Sequence, residues 1–181
     1  TNSLRARRLR TNGPPEPTPG WLSLALGSAH FRLSDLARAE ENYKKAIEKD
    51  PNAIIAANNL AWLYAVTGKG NLDEAVKLAQ GVVQKNPTMA GFVDTLGWVY
   101  YKKGLYAAAV EQLQKAVSLD EDAARKANTN PSASYQYHLG MALKAKGDSQ
   151  GAKRALEASI RLSDKAPFGD IEEAKKALTT L

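Results

Sequence analysis

Apolar and charged positions alternate along this chain with the period of an α-helix. "EENYKKAIEKD" and "DIEEAKKAL" place acids and bases on one side and Ala, Ile or Leu on the other, the pattern of a half-solvated helix. The pattern also repeats on a larger scale. A small residue preceded by Leu falls at Gly27, Ala61, Gly97 and Gly140. A second small residue follows at Ala39, Ala75, Ala109 and Ala152; four further on come Tyr43, Ala79, Leu113 and Leu156, and then Ala46, Val82, Ala116 and Ser159. Between the halves of each unit a turn residue recurs, at Ser34, Gly68, Gly104 and Gly147, and Pro51 and Pro87 close the first two units. These offsets predict four helical hairpins in which small residues let paired helices approach closely. Asn52 and Asn130 are expected as helix caps, and Pro19 and Pro131 as first-turn residues.

Agreement of so many positions across four units resembles the tetratricopeptide repeat, a helix-turn-helix of 34 residues. The match runs from Gly20 to about Asp164. The resemblance implies an all-α fold, a tetratricopeptide-repeat superhelix or α-solenoid. It would comprise four repeats over 20–53, 54–89, 90–123 and 133–166, within an array spanning 20–168. Departures are visible. His30 stands where Tyr is usual, "TGKGNLDEA" carries two extra residues, and "DAARKANTNPSAS" is an insertion before the last unit. One hairpin cannot bury its apolar stripe alone, so units stack and the ends need cover. Residues 169–181 supply a capping helix at the back, with Ile171, Ala174, Leu178 and Leu181 on one side. Residues 1–19 are basic and Pro-rich and read as a linker, an arm for an acidic partner being the sharper alternative.

The wording of "NNLAWLYAVTGKGNLDEAVKLAQ", "DTLGWVYYKKGLYAAAVEQLQKA" and "YHLGMALKAKGD" is similar to the carboxy-terminal arrays of bacterial tetratricopeptide lipoproteins linked to PEP-CTERM and exosortase systems. That resemblance implies a periplasmic or outer-membrane-associated parent protein engaged in export or exopolysaccharide assembly.

Composition narrows the chemistry. Net charge is +6, but Arg5, Arg7, Arg8 and Arg10 lie together at the front and later charges are interleaved, so nucleic acid is not an expected partner. No apolar run is long enough for membrane insertion. The chain has no Cys and only two His. His30 and His138 lie in distant units, without a carboxylate or second His at ligand spacing along the sequence, and read as core or boundary residues. No glycine-rich phosphate loop or nucleophile motif occurs. The reading is a non-enzyme with no catalytic residues, metal or cofactor.

Binding remains. Positions three before, one after and four after each small residue share a helix face, which in the family resembled faces a concave groove. The candidate groove residues are Phe31, Asn58, Trp62, Asp94, Trp98, Tyr101, Tyr137 and Met141, with Leu24, Ser28, Ala65 and Lys144 in the same register. Aromatic area beside polar handles suits a peptide or protein segment. Alternatives are that Trp62 and Trp98 fill space between first helices, that the protein is a spacer or self-association module using its convex face or ends, and that the aromatics stack on sugars.

Overall fold

The computed structural model describes residues 19–68 and 70–181; the basic stretch 1–18 and Lys69 lie outside the described residues. Among those described, nine helices and no strand occur: α1 Gly20–Arg32, α2 Leu36–Lys49, α3 Ile54–Thr67, α4 Leu72–Lys85, α5 Ala90–Lys102, α6 Tyr106–Ala127, α7 Ala133–Lys146, α8 Ser149–Ser163 and α9 Ile171–Thr179. The pairs α1–α2, α3–α4, α5–α6 and α7–α8 form hairpins. Each hairpin packs on the next, and α9 packs on α8.

The turn inside each hairpin depends on left-handed backbone. Ser34, Gly68, Gly104 and Gly147 have φ of 60°, 62°, 79° and 91°, a conformation glycine adopts freely and other residues at a cost. The helix that follows is then started by a side chain in three cases. Asp35 accepts from the Arg38 N–H, Asn71 from those of Asp73 and Glu74, and Asp148 from that of Gly151, each satisfying first-turn donors. First helices lack such caps. Asn52 does not cap α3, which starts from Ala53, and its carbonyl takes the Lys85 ammonium instead. Asn130 and Pro131 precede α7, whose N-cap is Ser132 without a side-chain bond. Pro19 sits at the N-cap of α1, outside the first turn.

Inside the hairpins, the small residues act through close approach. A Cβ added at Gly97 would lie 2.5 Å from Leu113 Cγ, one at Gly140 2.7 Å from Leu156 Cγ, and one at Gly27 2.6 Å from the Tyr43 ring. The glycine therefore faces the large residue four positions beyond the second Ala. In the second unit Ala61 and Ala79 occupy these two positions and both are fully buried, so a methyl on the first helix goes with a smaller side chain on the second. Ala39, Ala75, Ala109 and Ala152 are also fully buried.

First helices are apolar nearly all round because they pack on their own partner and on neighbouring hairpins; second helices keep a charged outer face. Hydrogen bonds cross the joints as well. The Tyr64 hydroxyl donates to Glu40 at 3.0 Å and Gln80 donates to the Tyr100 hydroxyl at 2.8 Å. The insertion before the last unit is largely helical. It extends α6 to Ala127, where Asn128 stops the helix in the left-handed region at φ 53°. The connecting chain is tied back by the Ser132 N–H on Asp120 at 2.6 Å.

The two ends differ. At the back, α9 buries Ala174 and Ala177, while Leu181 lies beyond the helix and is exposed. At the front, Leu26 and Leu33 of the first hairpin are exposed.

Candidate functional site

The register of small residues carries the candidate side chains onto one face of α1, α3, α5 and α7. Over the front two hairpins that face is open. Phe31 and Trp62, both half-buried, meet with Ser28, Arg32, Tyr43 and Asn59 around a hollow of about 170 Å³. Asn58 stands one turn before Trp62, and its carbonyl Oδ1 is buried with no hydrogen-bond partner among the described residues. A larger hollow of about 520 Å³ opens beside the starts of the same helices, walled by Trp21, Leu24, Ile55, Met89 and Phe92, with Asn86 at its edge.

Over the back two hairpins the same positions close on one another. Asp94 of α5 is buried and receives His138 Nδ1 of α7 at 2.8 Å on Oδ1 and 3.0 Å on Oδ2. Burial pushes the Asp94 carboxyl above its ordinary value, and His138 opposes the shift. A negative charge away from water is costly even beside a hydrogen-bonding ring. The Trp98 ring stacks on that of His138 at 4.2 Å and on Tyr101 at 4.6 Å. Trp62 reaches the same imidazole from α3, 5.6 Å away. The Lys102 ammonium lies 4.9 Å from the centre of the Trp98 ring, a cation–π distance.

Tyr137 is buried against Trp98 and Phe168, and its hydroxyl is pushed up to about 12 by burial, with Asp170, Tyr101 and Glu173 adding to the shift. Tyr135 is raised to about 12 by burial and by Asp94 and Asp120. Burial and the neighbouring Tyr106 raise the half-buried Tyr101. Met141 is half-buried at the edge of the cluster. Lys144 does not face open solvent; its ammonium donates to the Ala177 carbonyl at 2.9 Å and to the Thr180 hydroxyl, tying α7 to the end of α9.

Asp94, Trp98 and Tyr137 were expected to face a ligand; all three are buried instead, because His138, Tyr101 and Phe168 cover them. Phe31, Asn58, Trp62, Tyr101 and Met141 keep surface. The residue missed by position-counting is His138. It lies two before Gly140 and Asp94 lies three before Gly97. These positions face each other only once the two first helices are laid side by side, and that was the available signal. His30 likewise has a carboxylate, Asp35, 3.7 Å away in its own turn. Among the described residues no group of three or more metal-ligating side chains converges.

Stacked helix hairpins with in-register small residues define an α-solenoid built from repeats. Tetratricopeptide-repeat family models match residues 24–90 and residues 94–122 and 133–165, and the chain belongs to that family. A curated relative, the small glutamine-rich tetratricopeptide repeat-containing protein 2 of Mycosarcoma maydis, is 31% identical over 96 residues. The match covers 53% of this chain and 27% of that protein, so the chain spans about a quarter of the relative's length. Solved structures share the fold. MamA from Desulfovibrio magneticus RS-1 aligns with a TM-score of 0.66 at 22% identity, over 82% of this chain and 78% of that one. A thermophilic TPR protein of Thermus thermophilus gives 0.63 at 21%, over 89% and 80%. Pseudomonas aeruginosa PilF gives 0.68 at 19%, over 89% and 66%. The fold is that of a protein-interaction scaffold, and proteins of this family typically bind protein partners. No described helix is long and apolar enough to cross a membrane.

Proposed function

We propose that this array is a non-catalytic scaffold that holds an extended or helical segment of a partner protein along its first-helix face. The observation that carries the reading is the front hollow, where Phe31 and Trp62 from adjacent hairpins leave aromatic surface open; one turn before Trp62, the buried Asn58 carbonyl has no partner among the described residues. An orphaned buried acceptor favours a ligand that brings a donor, such as a backbone N–H. Phe31, Trp62, Tyr101 and Met141 are the anchors and Asn58 the polar handle. Asp94, Trp98 and Tyr137 form the floor that holds them in place. The resemblance to exosortase-linked arrays supports a partner among bacterial export or exopolysaccharide-assembly proteins.

The test is a partner captured from the parent organism and titrated against variants with unchanged circular dichroism. Trp62→Ala should weaken binding by roughly thirtyfold, the loss of about 2 kcal/mol typical of an aromatic hot spot. Lys115→Ala, on the exposed outer side of α6, should bind normally. The reverse pattern would move the site to the outer face. Self-association through an end of the array is the second reading, and the exposed leucines at its front favour it.

A further inference from the structure

One position on the outer face of the array departs from its equivalents. Six residues after the second small residue of each unit, α2 carries Lys45, α6 carries Lys115 and α8 carries Ala158, whereas α4 carries Gly81. Glycine is the poorest helix former after proline, and Gly81 lies well inside α4, a full turn before its end. Packing within the chain does not call for it. A Cβ added at Gly97 or Gly140 would strike a leucine, but one added at Gly81 meets no heavy atom within 4 Å.

Gly81 opens instead onto a hollow of about 170 Å³ between α2 and α4, floored by the start of α3. Ile47, Ile54 and Leu78 give it apolar walls, and Leu78 stands where α2 and α6 have Asn42 and Gln112. Among the described residues, the charged side chains that line it are Lys77 and Lys85. Lys77, Gly81 and Lys85 are four apart and share one face of α4, so the glycine lies midway between two ammoniums. Neither forms an ion pair among the described residues. Asp73, one turn before Lys77, pairs with Lys103 of α5, and Lys85 donates to the neutral Asn52 carbonyl at 2.8 Å. Both walls belong to this chain, so a hairpin stacked on either end of the array would leave the hollow open.

The occupant follows from these features. A second copy meeting the hollow through the same face would set lysine against lysine, which an isologous contact does not tolerate. The backbone of α4 is bonded within the helix and offers no edge to an extended strand. A bare glycine backbone does admit the close approach of another helix, and carboxylates complement two unpaired ammoniums.

We propose that the hollow between α2 and α4 docks a helix of a partner protein in which an apolar residue lies between two acids, each four residues away. The apolar side chain sits over Gly81, and the carboxylates reach Lys77 and Lys85. This surface is separate from the first-helix face and does not rest on it, so both can be occupied at once.

The test is titration of the ¹⁵N-labelled full chain with a synthetic helical peptide, capped at both ends, that carries EAAALAAAE at its centre. At millimolar peptide, amide signals should move at the end of α2, the start of α3 and the second half of α4, and the binding should weaken as salt rises. Gly81→Lys installs the residue that α2 and α6 carry there and meets open space, so the fold is kept; its dissociation constant should be at least about tenfold higher. The same loss is expected for wild type with a peptide whose two acids are replaced by lysine. Gly81→Ala should raise Tm by about 2–4 °C, since the fold gains a better helix former and loses no contact. A fall in Tm would give the glycine a role inside the fold and overturn the inference. No signal movement, or movement confined to the first-helix face, overturns the hollow as a docking site. Equal binding of the lysine peptide overturns the acidic partner, and equal binding by Gly81→Lys overturns the close approach.

Discussion

The front and back halves of the first-helix face use the same register to opposite ends. At the front, Phe31 and Trp62 frame an open hollow. At the back, Asp94, Trp98 and Tyr137 fall at equivalent positions yet are interior. The difference lies in what the next first helix brings. His138 is large and polar enough to reach Asp94 and flat enough to lie under Trp98, whereas Thr95, at the corresponding place opposite Asn58, turns its hydroxyl to the Gly91 carbonyl. Position within a repeat therefore selects a direction, and the neighbouring repeat decides whether that direction leads to solvent or to core.

The largest expected break in this contrast is His138→Ala. It leaves the buried Asp94 carboxyl without its hydrogen-bond partner and opens a space under Trp98, and the lost bond and the cavity together cost about 3–5 kcal/mol. Chemical denaturation should show that loss, and an unchanged midpoint would mean the back face is not held by this pair. Gly97→Leu comes next, at roughly 1–3 kcal/mol, because the new side chain meets Leu113. Adding Leu113→Ala to a Gly97→Ala variant should restore part of the stability in a double-mutant cycle, recreating the pairing of Ala61 with Ala79.

A smaller effect is pH-dependent. The folded-state value of Asp94 is raised, so its contribution is fully present below the ordinary carboxylate range and is lost as pH rises through the raised value. Asp94→Asn, which keeps the shape of the protonated group, should flatten this limb, and wild type should lose stability relative to it as pH rises there. An opposite slope would mean that the ion pair outweighs desolvation. At the front, Ile55→Ser should shift stability by no more than about 0.5 kcal/mol, as expected of an exposed site.

Much of the fold was legible because its determinants are local or strictly periodic. Ala39, Tyr43 and Ala46 lie at the predicted spacing and all are buried. Ser34, Gly68, Gly104 and Gly147 mark turns that need left-handed backbone. The extension of α6 was less legible; "DEDAARKA" contains no helix breaker, so the helix runs on to Ala127 and stops at Asn128. Caps were misassigned to Asn52 and Asn130 because first helices begin without side-chain caps, whereas three second helices have them. In the candidate site, face assignment followed from spacing alone, but exposure did not. Asp94 and His138 are 44 residues apart in sequence, and their meeting depends on lateral contact between two hairpins.

Ser34 holds a left-handed conformation that the other three hairpins give to glycine, at a cost of about 1 kcal/mol. In a linear array, where each unit leans only on its neighbours, such a cost is felt locally. It falls on the hairpin whose outer leucines are uncovered, whereas the opposite end is fastened by Lys144 and α9. Unravelling should therefore begin at the front and travel backwards. In a dilute sample, amide hydrogens of α1 and α2 should exchange first and those of α5 and α7 last.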